Sequence, residues 1–164
     1  MLLQNLRARM NARLSGDREA GFTLIELLVV MLILGILAAI AIPAFFNQRD
    51  KANDAQAKSM ARTAQTAMET YATDEGGEYA GVTPAILAGI EDTINIDDES
   101  GDPYLSVAAE ADDGTGYALT VVSPETGNSF SIERDGTTGA VTFPCVQGSA
   151  DDPGGCPNPD DWSS

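Results

Sequence analysis

Between Gly21 and Pro43 the chain reads GFTLIELLVVMLILGILAAIAIP, and Glu26 is the single ionisable residue in it. From Leu27 to Ile42 no side chain is polar. A carboxylate at the edge of hydrocarbon costs about 1–3 kcal/mol unless it reaches water or meets a cation, so Glu26 calls for a partner. The other residues able to do chemistry are few. Cys145 and Cys156 enclose ten residues and are either a disulfide or two free thiols. A zinc site needs four ligands, and the chain has no histidine. That absence also removes the commonest general base, so no Ser or Cys has a partner for nucleophilic catalysis. Asp97, Asp98, Glu99 and Asp102 could ligate calcium, but their spacing fits no EF-hand and reads as a solvated acidic loop. The Gly114–Gly116 stretch GTG has no helix pattern after it and is not a phosphate loop. No enzyme activity, cofactor or resident metal is expected.

Charge is divided unevenly between the segments that would position these groups. Residues 1–21 carry Arg7, Arg9, Arg13 and Arg18 against Asp17 and Glu19, a net of +2. Residues 22–164 carry 23 acids and 5 bases, a net of −18, which would repel nucleic acid. The first 21 residues have no core pattern and read as a targeting or processing segment. Residues 22–46 form a continuous apolar helix candidate. Its 25 residues span about 37 Å, enough to cross the hydrocarbon of a bilayer.

Helical spacing continues from Asn47 but becomes amphipathic. Ala57, Met60, Ala64, Ala67, Met68 and Tyr71 make one apolar stripe, and Lys51, Lys58 and Arg62 lie on another face. Asp54 and Lys58 have the i,i+4 spacing of an ion pair, and Gly76-Gly77 ends the helix. A brief helix is expected over Thr83–Ile90, with Thr83 as cap and Pro84 at its first position. Short strands follow between turn signals. Tyr104–Glu110 places Leu105, Val107 and Ala109 on one face, and Tyr117–Ser123 alternates Tyr117, Leu119 and Val121. Ser129–Arg134 carries Phe130 and Ile132, and Ala140–Phe143 carries Val141 and Phe143. The expected fold is α+β. A long N-terminal helix, apolar then amphipathic, packs on a small antiparallel meander of three or four strands. The tail from Gln147 is rich in Pro, Gly and Asp and offers no regular structure.

The apolar segment taken alone is compatible with a plain membrane anchor that never polymerises. It is also compatible with a secretory signal cut after Ala41, in the Ala39-Ile40-Ala41 triplet. Its first residues are more specific. Gly21 followed by Phe22, Thr23, Leu24, Ile25 and Glu26 resembles the class III signal of the type IV pilin family and its pseudopilin relatives. The resemblance is residue by residue over Gly21–Glu26 and looser across the apolar helix.

That resemblance implies a structural protein. A membrane-embedded prepilin peptidase would cut after Gly21 and methylate the new amino terminus at Phe22. The basic leader would stay cytoplasmic. The mature chain would wait in the membrane as a single-pass precursor until the pilus assembly machinery draws it into a surface filament. Residues 22–46 would form the filament core as a helical homopolymer, with 47–164 as the amphipathic half-helix and head. Phe22 and Glu26 are the expected assembly residues, Glu26 setting register against the amine of a neighbouring Phe22. Gly35 and Pro43 are expected to weaken the helix. Interior Gly costs about 1 kcal/mol and Pro about 3 kcal/mol relative to Ala. The outcome is either a mild kink or, as the resemblance implies, unwinding inside the filament. The family also implies a C-terminal disulfide loop, here Cys145–Cys156, at the head surface. A minor pilin, or a pseudopilin of a secretion or DNA-uptake machine, is the alternative within the family.

Overall fold

A computed structural model describes residues 21–148, 154–156 and 161–163. The expected leader, apart from Gly21, lies outside the described residues, as does much of the tail. Helix α1 spans Leu24–Asp74 and α2 spans Pro84–Ile90. Strands β1 (Tyr104–Ala111), β2 (Gly116–Val122), β3 (Ser129–Arg134), β4 (Val141–Thr142) and β5 (Cys145–Val146) follow. The chain divides into two compact units at Ile42/Pro43, so α1 contributes to both.

In the second unit the core lies between α1 and the sheet. Ala57, Ala61, Ala64 and Ala67 give the helix a low surface, buried with Met68 and Ala72. Small side chains let the helix axis approach closely, and the volume is filled from the sheet side. Tyr117, Leu119 and Val121 of β2 and Phe130 and Ile132 of β3 are wholly buried there. Met60 and Tyr71, expected in the stripe, pack at its margin, half-buried. A Schellman turn closes α1, with Gly77 N–H donating to Ala72 O at 2.7 Å and Gly76 at φ +77°. Thr83 caps α2, its side chain accepting from Ile86 N–H, with Pro84 as the first helical residue.

The sheet is antiparallel, in the order β1-β2-β3-β4, with β5 also paired to β3. β4 and β5 pair with β3 in one continuous register: Glu133 faces Thr142 and Phe130 faces Cys145. They are a single edge pass interrupted at Phe143-Pro144. Pro144 has no N–H for the ladder, yet its carbonyl still accepts from Ser131 N–H at 2.8 Å.

Three expectations are corrected. Val107 does not face the core with Leu105: a bulge between them, against Val121 and Thr120 of β2, turns Ala108 inward. Val107 is 42 % exposed and Ala109 only half-buried. The added residue breaks the period-2 alternation on which the expectation rested. Asp54 and Lys58 do not pair: the Asp54 carboxylate is buried beneath the head loops, and Arg49–Glu125, at 3.3 Å, is the ion pair among the described residues. Lys58 instead lies over the Phe130 and Trp162 rings, and Arg62 over Phe143 and Trp162. The tail is not all passive. Trp162 is buried edge-on against Phe130 and Phe143, and its Nε1 donates to Ser131 O at 2.8 Å. Asp161 forms a parallel bridge with Phe143.

Candidate processing and assembly site

Gly21, Phe22 and Thr23 precede the helix and are exposed, Phe22 86 % so. The helix starts one residue later because Thr23 and Glu26 cap it reciprocally. Thr23 N–H and its hydroxyl donate to one Glu26 oxygen at 2.8 and 2.7 Å, while Glu26 N–H donates to Thr23 Oγ1 at 3.3 Å. This capping box satisfies donors that the first helical turn leaves open and sets a negative charge at the positive end of the helix. Leu27 N–H then closes the first turn on Thr23 O at 3.2 Å. The helix expected from residue 22 starts at Leu24, so Phe22 lies outside it, and Thr23 is the partner of Glu26. The sequence signal of this cap is T-x-x-E ahead of an apolar run.

From Leu24 to Ile42 no residue is buried, and every large apolar side chain is between 47 and 76 % exposed. The exposure runs around the whole circumference of the helix. A helix apolar on all sides is stable only when lipid or other helices surround it. This helix is long and apolar enough to cross a membrane. It runs unbroken through both Gly35 and Pro43. A Cβ at Gly35 would meet nothing within 4 Å, so the single chain makes no demand for glycine there. The disulfide implied by the family resemblance is formed between Cys145 and Cys156, and both cysteines are buried. Among the described residues no three His, Cys, Asp or Glu side chains gather where they could hold a metal ion. The Asp97–Asp102 loop is organised by Asn95, whose Nδ2 donates to Asp97 O, Ser100 Oγ and Pro103 O.

Residues 16–42 match the prokaryotic N-terminal methylation motif. The chain is 32% identical to a fimbrial protein of Eikenella corrodens over 70% of this chain and 69% of the relative. It is 33% identical to the major component of the type IV narrow pilus of Thermus thermophilus, over 74% of this chain and 92% of the relative. The chain belongs to the type IV pilin family. This pilin is also 27% identical to the type II secretion system core protein G of Escherichia coli, over 76% and 78% of the two chains. No solved structure matches it significantly. The relatives are structural filament proteins, and the pilin is a subunit of a pilus-like filament.

Proposed function

We propose that this pilin is cut by a prepilin peptidase between Gly21 and Phe22, methylated on the Phe22 amine and polymerised through its apolar helix. The observation that carries this reading is the helix from Leu24 to Ile42, apolar and uncovered on every side, directly behind Gly21-Phe22. Before assembly the apolar helix is held in the cytoplasmic membrane as a single-pass anchor. In the filament the same surface packs on helices of other copies, so solvation changes little and specific contacts decide the direction. Gly35, which its own chain leaves open, gives a neighbouring helix room for close approach. Pro43 leaves the carbonyl of Ala39 without its helical donor, so the stretch from Gly35 to Pro43 is where the helix unwinds when the filament is loaded.

Glu26 has two successive partners in this scheme. Thr23 holds its carboxylate in the precursor. Cleavage then creates an ammonium at Phe22, and the pair between that amine and the Glu26 of a neighbouring subunit penalises every register that leaves it unmade. N-terminal mass spectrometry of sheared surface filaments tests the processing: the expected chain begins at methylated Phe22. A chain beginning at Met1, or at Ile42 after a signal-peptidase cut, would overturn it. The similarity to a type II secretion core protein supports a second reading, a pseudopilin of a secretion machine. Electron microscopy of wild-type and deletion cells separates the two, since only a pilus extends beyond the cell surface.

A further inference from the structure

Asp54 is wholly buried in the second unit, and its side-chain hydrogen bonds all run to residues of the same unit. Its Oδ1 accepts from Thr126 Oγ1 at 2.6 Å, and its Oδ2 accepts from Asn128 Nδ2 at 2.7 Å and from Gly155 N–H at 2.6 Å. Gly155 is the residue before Cys156. Asn128 also holds the outgoing stem of the same loop, its Oδ1 accepting from Gly148 N–H at 2.8 Å. Gln147 Nε2 then crosses between the stems to Cys156 O at 2.7 Å. Cys145 is fixed separately, in the ladder opposite Phe130. Both ends of the Cys145–Cys156 loop are thus tied to one carboxylate–amide pair by hydrogen bonds that do not involve sulfur. The fit is close: a Cβ at Gly155 would fall 2.7 Å from the Asp54 Cβ, and one at Gly154 would strike the carboxylate.

We propose that Asp54 is a positioning residue for oxidation of the pilin head: it clamps Gly155 in the reduced chain and thereby holds Cys156 opposite Cys145. Oxidation takes one proton and one electron from each thiol. The new bond joins the two Sγ atoms, and both electrons pass to a disulfide oxidant that leaves as two thiols. Closing a loop between free ends costs chain entropy, and the clamp meets that cost before the sulfurs meet, raising the effective concentration of one thiol for the other. The clamp lies within the head and acts whether or not the chain polymerises.

The test is a redox titration of the full-length chain in detergent micelles against reduced and oxidised glutathione, with the dithiol fraction read by alkylation and mass spectrometry. Asp54→Ala is expected to lower the equilibrium constant for disulfide formation by about tenfold to a hundredfold, the worth of a hydrogen bond to a charged group. It should also let the mixed disulfide with glutathione accumulate on Cys156. Leu87→Ala removes a buried side chain of α2, a helix that packs on β1, and measures what general loosening does; it should leave the constant unchanged while the chain stays folded. Gly155→Ala keeps the carboxylate but pushes the stem off it, and should shift the constant as Asp54→Ala does; it decides the matter if Asp54→Ala does not fold. An equilibrium constant unchanged in the clamp variants, or lowered equally by Leu87→Ala, overturns the proposal.

Discussion

Glu26, Tyr117 and Trp162 each carry a consequence that a single substitution or titration reads. Glu26→Ala removes the acceptor for Thr23 and the proposed partner of the Phe22 amine together. The expected protein is processed and inserted but enters filaments poorly, read as the ratio of sheared to membrane-held subunit. Normal filaments from a normally cut variant would sink the registry role, and failure of cleavage would make Glu26 a mark for the peptidase instead. Tyr117 donates to Glu69 at 3.2 Å and accepts from Gln65 at 3.2 Å, and burial pushes its phenol up to about 12. An unfolded tyrosine ionises near 10. Between these values the unfolded chain has lost a proton that the folded head keeps, so stability is complete below about pH 10 and falls as pH rises toward about 12. Tyr79, bonded to the same carboxylate and raised chiefly by burial, adds in the same direction. Phenolate absorbance and circular dichroism should change together in that window; a phenol ionising near its ordinary pH in a folded head would refute the assignment. Trp162→Ala empties the space between Phe130 and Phe143 and should cost about 3–5 kcal/mol, measured by urea unfolding.

At the scale of elements, much of the head was legible in residue spacing. The alternation in β2 and β3, the Thr83-Pro84 start of α2 and the Gly76-Gly77 stop of α1 each rest on a local rule, and each appears where the rule puts it. What was not legible depends on partners distant in sequence. Nothing near Asp54 marks it as buried, since its hydrogen-bond partners lie 72 to 101 residues away. An acid on an amphipathic helix reads by default as solvent-facing. The bulge in β1 depends on β2 accepting Val107 beside Thr120, which alternation in one strand does not show. Trp162 was the readable exception: a lone large aromatic in a tail of Pro, Gly and Asp has no reason to be there unless it packs. These elements make the head separable. A chain starting near Lys51 retains Asp54, the alanine stripe and every strand, so it should be soluble and folded. Reducing Cys145–Cys156 in it should remove about 3 kcal/mol of stability by the chain-entropy model, seen as a lowered Tm. An unchanged Tm in reductant would show that the bridge adds nothing to the fold.

For the whole molecule, the dominant quantity is the charge beyond the leader, −18 over residues 22–164. Heads packed side by side on a filament repel one another through that charge, and salt or protonation removes the repulsion. Sheared filaments should stay dispersed at neutral pH in about 10 mM salt, where the Debye length is about 30 Å. They should gather into bundles as pH falls toward about 4, where the carboxylates protonate. Light scattering against pH reads this, and bundling that ignores pH would point to an apolar lateral contact instead. The methylation motif and the apolar run of the candidate assembly site were legible, because the exposure of that run comes from composition rather than packing. The capping of Glu26 by Thr23 depends on where the helix begins, and hydropathy does not contain that boundary.

The two rims of the sheet carry a further consequence. One rim is bent by the extra residue between Leu105 and Val107, and the other is cut at Pro144 into pieces of two residues, beside a covalent staple. Neither rim offers a long flat row of open amides for a foreign strand to zip onto. In a filament, heads sit at high local concentration, where amyloid-like strand exchange would compete with ordered assembly. With both rims spoiled, the head of this pilin resists joining its neighbours strand to strand, which leaves the proposed helix contacts free of that competitor.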